Sequence, residues 1–475
     1  MQRQSKKPVK TPVPVKTVPV KTIHELYLRR LSLHRLSLRQ LLAPTNPLRL
    51  AYHFCWELFW ALFYSLPARK IFVIGITGTD GKTTTANLLA AILRQAGKRV
   101  ALATTINFRL HNQTWENLTK KTTLGHGGVN HFLAQALKQK CEFAILEVSS
   151  HGLTQFRVLG VQFKLALLTN LTREHLDFHG TLANYRAAKQ KLFRQIKFDP
   201  NLKAQIILPA ELDCQKFCAE IREPSGIWGQ IKKWLGLQKR YLPYRTFGLE
   251  QGDLRVNHAN STTNYQNLTL TDQKTNLKIK TQLPGKPNQK NLLAAVLAAR
   301  ILQIPDQKIQ EALQSLSLIP GRFESVQAGQ KFQVIVDFAH TPAALENLLQ
   351  TFRPLTEGNL WLVFGATGER DQGKRKILGA LADQLADKIV LTSDDPFGED
   401  PKKILQAVAQ GIARKKNFWQ ILDRRAALEF ALKNAQPKDT VLLAGKGCEK
   451  FQVIQDQKIP WDEREIAREI LRKIG

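Results

Sequence analysis

Lys82 and the threonines after it are the first residues in this chain whose types and spacing could do chemistry. The stretch Ile71 to Leu89, IFVIGITGTDGKTTTANLL, passes from an apolar β-type run into a loop with glycines at 75, 78 and 81, then a lysine, three threonines and an apolar helical pattern. Glycines let backbone N–H groups curl around phosphate oxygens, and a helix N-terminus adds partial positive charge. Lys82 can neutralise β- and γ-phosphates, and Thr83 can offer its hydroxyl to Mg²⁺. These residues predict a phosphate loop for ATP. The spacing departs from G-x-x-x-x-G-K-[ST], because Ile76 stands where the first glycine belongs and Gly75 comes one residue early. A glycine-rich turn with an incidental lysine is the plainer alternative, and the strand before and helix after count against it.

Two further groups sit where an open α/β sheet places its ligands, at the C-terminal ends of buried strand-like runs. Phe143 to Val148 closes on Glu147-Val148-Ser149-Ser150-His151, and Lys164 to Thr169 closes on Asn170 to Asp177. Glu147 and His175 are candidate metal ligands. Each alone could equally be a cap or a satisfied polar group; after a phosphate loop the pair favours the functional reading.

The elements that must position these groups form a chain of two to four domains, as 475 residues suggest, with 43% hydrophobic and 23% charged residues. A net charge of +31 points to nucleic acid, an anionic membrane surface or a polyanionic small substrate. Eleven Lys and Arg against one acid, Glu25, fall in the first 50 residues. With no aromatic-interleaved RNA-binding signature or C₂H₂ spacing, no nucleic-acid partner is expected. Five scattered cysteines suit a reducing cytosol, and Cys214 and Cys218, lacking a partner pair, read as ordinary residues rather than zinc ligands.

Residues 1–22 repeat a Pro-Val-Lys-Thr theme and predict a disordered basic tail. Residues 23–69 form an atypical N-terminal segment: the leucines of 26–42 spread around a helical wheel, while Leu50 to Leu66, LAYHFCWELFWALFYSL, is aromatic but short for a membrane span. It either docks on the globular body, the preferred reading, or lies in a membrane interface. Beyond it, RVALATTINF reads as a strand, 184–193 as a helix carrying Lys189, 245–283 as a small antiparallel insert and 284–302 as a loop opening an Ala/Leu helix. From Pro320, four βα-type repeats imply a second, doubly wound parallel sheet.

The blocks GITGTDGKTTT, EVSSHGLTQFRV, TNLTREHLDFHGTLANYRAAKQKLF, PGRFE, VIVDFAHTPAALEN, VFGATGERDQGKR and TSDDP resemble those of the Mur ligases, the ATP-dependent amide-bond ligases of peptidoglycan synthesis. The likeness is closest to the UDP-N-acetylmuramoyl-tripeptide synthetases. It implies an α/β fold: a central P-loop ATPase-like domain with a parallel sheet over 70–318, and a C-terminal doubly wound, Rossmann-like domain over 319–475. It also implies a reaction in which a substrate carboxylate attacks the γ-phosphate and an amino-acid amine then displaces phosphate from the acyl phosphate. By resemblance, Gly78, Thr79, Asp80 (Asn in the family), Gly81, Lys82, Thr83 and Thr84 bind ATP together with Asn288, Asn291, Arg322, Asp337 and His340. Thr83, Glu147, His175 and a carbamylated Lys189 hold Mg²⁺, and Lys82, Lys189, His175 and Arg322 serve catalysis. Thr104, Thr105, Ser150, Gln155 and Arg157 contact a UDP-sugar-peptide-like substrate.

Asp394, Asp395, Phe397 and Glu449 fall, by the same resemblance, at the amino-acid pocket. Where relatives that add meso-diaminopimelate carry Asn and Arg, this chain has Asp395 and Phe397, which predicts an amino acid ending in an amine or an apolar group. Cys448 replaces the usual His. The first 70 residues do not resemble the folded domain with which such enzymes grip UDP. The expected protein is a cytoplasmic monomer with peripheral membrane contact through its N-terminal segment. A folate-polyglutamate or cyanophycin-type ligase shares the phosphate loop, but the EVSSH and DFAHTP blocks favour the Mur branch. A non-catalytic ATP-binding protein could dispense with Glu147, His175 and Lys189, and all three are present.

Overall fold

The computed structural model describes residues 46–119, 121–222, 242–262, 265–272, 275–316, 318–414, 416–455 and 457–474. The tail expected over 1–22 and the leucine-rich stretch 26–42 lie outside the described residues. The chain divides into two units, 1–52 and 53–475. In the first, the Asn46 side chain accepts the Leu48 N–H at 2.9 Å and caps the start of the helix Pro47–Phe63.

In the second unit the strand Phe72–Thr77 lies between Phe163–Leu168 and Phe143–Glu147 in an eleven-stranded sheet. Its pairing is parallel from Leu254–Ser261 through Tyr244–Gly248, Ile206–Pro209, Phe163–Leu168, Phe72–Thr77 and Phe143–Glu147 to Val100–Ala103. Parallel strands are buried on both faces, and the alternation shows it. Ile74 and Ile76 pack with Leu88, Leu89, Leu292 and Leu293 of the helices Lys82–Gln95 and Lys286–Ile301. Val73 faces the other way, onto Phe132, Leu133 and Phe193 of the helices Gly128–Lys138 and Leu182–Arg194. Each such side chain contributes about 1.5–3 kcal/mol by leaving water.

Two expectations change here. The single strand read into RVALATTINF is a hairpin arm: Val100–Ala103 pairs antiparallel with Asn107–Leu110. The Thr104 hydroxyl makes the turn, donating to Asn107 O at 3.1 Å and accepting the Asn107 N–H at 3.1 Å, the local bond that lets threonine compete with a strand ladder. The stretch 245–283 is no separate insert. Tyr244–Gly248 and Leu254–Ser261 extend the parallel run, and only Gln266–Thr271 and Asn276–Thr281 turn antiparallel at its edge.

A second sheet, with order Glu324–Ser325, Gln333–Asp337, Thr440–Ala444, Leu360–Phe364, Lys388–Leu391 and Phe418–Gln420, is parallel apart from its first strand. Ile335, Leu362 and Leu442 face the helices Pro342–Phe352, Lys374–Leu385 and Pro401–Ala409. Val334, Val363 and Leu443 face Arg424–Asn434 and Glu463–Ile474. Helices on both faces make it doubly wound, and the strand Phe418–Gln420 is one that the sequence pattern did not reveal.

The aromatic stretch is a helix with one side on the body. Glu57 is buried, and its carboxylate accepts the N–H groups of His126 at 2.8 Å and Gly127 at 3.0 Å. These open the helix Gly128–Lys138, where an anion is favoured. Among the described residues no helix is long and apolar enough to cross a membrane.

Candidate active site

The phosphate loop is built where glycine is the only residue that fits. Gly81, at φ 79°, precedes the helix Lys82–Gln95, and a Cβ there would meet Asn291 Oδ1 at 2.1 Å; one on Gly78 would meet the Thr169 hydroxyl at 1.8 Å. The loop is pinned from the next strand end. Asn170 Oδ1 accepts the N–H groups of Thr79 and Asp80, both at 2.9 Å, and the Thr169 hydroxyl donates to Asp80 O at 2.6 Å. Lys82 Nζ donates to Thr79 O at 2.6 Å, and Thr84 is buried in the first helical turn.

The Thr83 hydroxyl donates to Glu147 Oε2 at 2.9 Å, and the same carboxylate accepts the Thr105 N–H at 2.8 Å and the Thr105 hydroxyl at 3.0 Å. The turn at Thr104 delivers Thr105 to this position. A hydroxyl and a carboxylate oxygen side by side are the hard donors that Mg²⁺ takes, so Thr83 and Glu147 fit the ion the resemblance implies. His175 pairs with Glu174 at 3.5 Å, and its ring lies 4.7 Å from that of His151. Among the described residues no group of three or more His, Cys, Asp and Glu side chains could hold a metal.

Lys189 is buried beside the loop, its Nζ donating to Gly78 O at 2.5 Å and lying 4.3 Å from the Tyr185 ring centre. Burial holds its ammonium well below the usual lysine range, and Lys82 adds to the shift. Asp80 is pushed up to about 6 by burial and by Glu174, against Lys82 and Arg322.

Elements of the second sheet reach the same place. Arg322 lies over the Phe338 ring at 4.8 Å, and its buried Nε has no hydrogen-bond partner among the described residues. Asp337 ends its strand with Oδ1 on the Ala339 N–H and Oδ2 on the Phe323 N–H, both at 2.8 Å, and burial raises its pKa to about 6. His340 Nδ1 meets Phe338 O at 2.8 Å, and burial and Lys374 lower its pKa to about 3. Asn288 donates to Pro284 O at 2.9 Å and accepts from Asn291 at 3.3 Å. A cavity of about 250 Å³ is lined by Thr105, Trp115, Arg322, Phe338, Cys448 and Glu449, among others. It joins the Glu147 side of one sheet to the Glu449 side of the other.

The remaining substrate candidates fall into two groups. Gln155 and Arg157 are adjacent, Arg157 donating to Gln155 Oε1 at 2.5 Å and to Thr123 O at 2.8 Å, while the Ser150 hydroxyl bonds His179 Nε2 at 3.0 Å. In the other group the geometry corrects the reading of Asp395. It is buried, and its Oδ1 accepts both Lys446 Nζ and the Val453 N–H at 2.8 Å. Lys446, itself fully buried, also binds Glu449 at 2.6 Å and lies 3.7 Å from Asp394. Asp395 is thus matched to an internal cation and is no open counter-charge for a substrate amine. Phe397, at φ 51°, has the Arg370 guanidinium 5.8 Å from its ring centre. Sequence reasoning missed Asn170, Arg370 and Lys446. The strand-end position of Asn170 was a usable signal; the other two had none beyond their charge.

Residues 76–299 match the Mur ligase middle domain, and residues 321–447 the Mur ligase glutamate ligase domain. The chain belongs to the Mur ligase family. This Mur ligase is 37% identical over 420 residues to the UDP-N-acetylmuramoyl-L-alanyl-D-glutamate--2,6-diaminopimelate ligase of Syntrophomonas wolfei, covering 87% of this chain and 80% of that protein. The protein of the same name from Trichormus variabilis is 37% identical over 414 residues, 86% of this chain and 79% of its own length. A solved ligase of that name superposes with TM-score 0.56 at 31% identity, over 84% of this chain and 78% of the other. The MurF ligase of Thermotoga maritima, solved with ADP, shares the fold at TM-score 0.62 and 16% identity, over 88% and 84% of the two chains. Mur ligases are ATP-dependent, and this one carries the family's α/β architecture over the two matched domains.

Proposed function

We infer that this Mur ligase is an acid–amino-acid ligase of the tripeptide-synthetase branch, extending a UDP-N-acetylmuramoyl-peptide-like carboxylate by one amino acid in peptidoglycan synthesis. The observation that carries the reading is the cavity, whose walls bring Thr105, Arg322 and Glu449 together, with Thr105 bonded to the same Glu147 carboxylate that takes the Thr83 hydroxyl. Thr83 and Glu147 would hold Mg²⁺, which on binding offsets phosphate charge. Gly78 to Thr84 would cradle ATP, Lys82 leaving Thr79 O for the phosphates. A substrate carboxylate oxygen bonds to the γ-phosphorus as the bond to ADP breaks. The amine nitrogen then bonds to the acyl carbon, phosphate leaves and the amine loses a proton. Arg322, with a buried Nε in want of an acceptor, suits the charge that builds on the transferred phosphoryl group.

Lys189 is assigned as a carbamate. Only a neutral amine attacks CO₂, and burial favours that form; the product is an anion suited to a second Mg²⁺. Gln155 and Arg157 would take the sugar-peptide end, and Asp337, His340, Asn288 and Asn291 the nucleoside end. His175 keeps its proposed catalytic role beside Glu174. The enzyme is proposed to act in the cytoplasm as a monomer. Phosphate release by the full chain is the test, with ATP, Mg²⁺, UDP-N-acetylmuramoyl dipeptide, and L-lysine or meso-diaminopimelate. Release that requires both the peptide and an amino acid is expected; release indifferent to the muramoyl peptide sinks the reading.

A further inference from the structure

The helix Pro47–Phe63 presents a face that ligation does not use. Its docked side is made by His53, Glu57, Trp60 and Ala61, with Tyr64 just beyond the helix. Glu57 binds the His126 and Gly127 N–H groups, Trp60 covers the bare Cα of Gly127, Ala61 meets Gly160, and Tyr64 bonds His131 at 2.9 Å. At 3.6 residues per turn, Cys55, Leu58, Phe59, Leu62 and Phe63 fall on the opposite side. They are exposed, Phe59 at 53%, Leu62 at 59% and Phe63 at 63%. The Phe59 ring stacks with those of Trp56 and Phe63, so the face is assembled before anything meets it. Between Arg49 and Arg69 the only Asp, Glu, Lys or Arg is Glu57, which is turned inward.

We propose that this face lies in the interface of an anionic lipid bilayer. An apolar face alone would suit a second copy of the chain equally well; charge decides between them. Residues 1–49 carry eleven Lys and Arg against Glu25, in a chain of net charge +31. Pairing two copies here would bring two such segments together, whereas acidic headgroups neutralise one, each basic residue near an anionic surface adding to the attraction. A helix held along its length by Glu57 and Ala61 rests in the plane of the bilayer, its outer side chains reaching roughly 5–10 Å into the boundary. The placement matters for the site. Phe54 packs edge-on against Phe156 at 5.5 Å, between Gln155 and Arg157, so the lipid surface borders the acceptor end of the cleft. The proposal does not depend on which acceptor the ligase takes.

Flotation of the full chain with vesicles of phosphatidylglycerol and phosphatidylcholine in equal parts tests it, with pure phosphatidylcholine vesicles and a raised-salt arm alongside. The wild-type chain is expected to float with the mixed vesicles and to keep part of that binding in salt. The Phe59→Ser, Leu62→Ser, Phe63→Ser variant is expected to lose binding on the order of 100-fold at unchanged thermal stability. Should the triple variant lose its fold by circular dichroism, Phe63→Ser alone is read instead, with a loss of about 10-fold. Three outcomes overturn the proposal: wild type that does not float, serine variants that float as well as wild type, and a wild-type dimer that the substitutions turn into a monomer. Gain of vesicle binding on deletion of 26–42 overturns it as well, because that stretch would then be the cover.

Discussion

Lys189 is the residue whose environment says most about its chemistry. An ammonium facing Lys82 in a buried site is disfavoured, and the neutral amine that results can take up CO₂. Lys189→Ala is expected to lower ligation by about 100-fold or more, with partial recovery in short carboxylates. A labelled-bicarbonate carbamate resonance present in wild type should vanish. A surface helix lysine would show neither effect. Asp337 offers a second test. Its carboxyl keeps its proton to about pH 6 in the folded chain against 3.8 for the free group, so between those values the native state binds more protons than the unfolded one. The contribution of Asp337 to the stability of the ligand-free protein should therefore fall as pH rises from about 4 to about 6, by at most about 1.4 kcal/mol per unit, and then level off, while His340, at about 3 against 6.5 for the free imidazole, acts in the opposite direction over the same range. Thermal unfolding of wild type and Asp337→Asn across that range checks it: the difference between the two should carry this slope, since Asp80, which moves the same way, and His340, which opposes it, are common to both.

Elements decide what the residues can do, and the loop after Lys388–Leu391 shows how. Asp395 was legible as a charge and illegible as a partner, because Lys446 arrives from the end of a strand some fifty residues later, Thr440–Ala444. Asp395→Asn is thus expected to cost about 1–3 kcal/mol in denaturant unfolding and to leave amino-acid choice alone. Choice should follow Arg370 over Phe397: Arg370→Ala is expected to lower kcat/KM for meso-diaminopimelate about 10-fold more than for L-lysine, since a guanidinium pairs a carboxylate. Equal losses would place Arg370 outside the pocket. The strand, glycine loop and helix around Gly78, Gly81, Lys82 and Thr83 were readable, because a glycine-rich stretch between a β-type run and a helical pattern is a local signal; that Thr169 and Asn291 close in on the two glycines was not, since both lie far along the chain. Strands with both faces buried were readable as apolar runs. The turn at Thr104 was not, since threonine fits a strand until its hydroxyl finds Asn107. Nor was the edge over 254–281, whose alternation says antiparallel without saying which sheet it joins.

At the scale of the molecule, two sheets with separate cores share one cavity. One wall is the hairpin Asn107–Leu110 and Gln113–Glu116; the other is the segment around Cys448 to Phe451, tied across by Lys450 to Glu116 at 3.3 Å, a half-exposed pair that stabilises little. A ligand that touches both walls then adds a strut between them. Calorimetry should record this as a change in cooperativity: two overlapping heat-absorption peaks for the empty chain, merging into one at higher temperature when nucleotide and muramoyl peptide are both bound. A single peak in the empty chain would mean that the cores already melt as one. If the peaks merge, the fuel and the acceptor act as the mortar between two bricks, and the enzyme becomes one body only while it has work in hand.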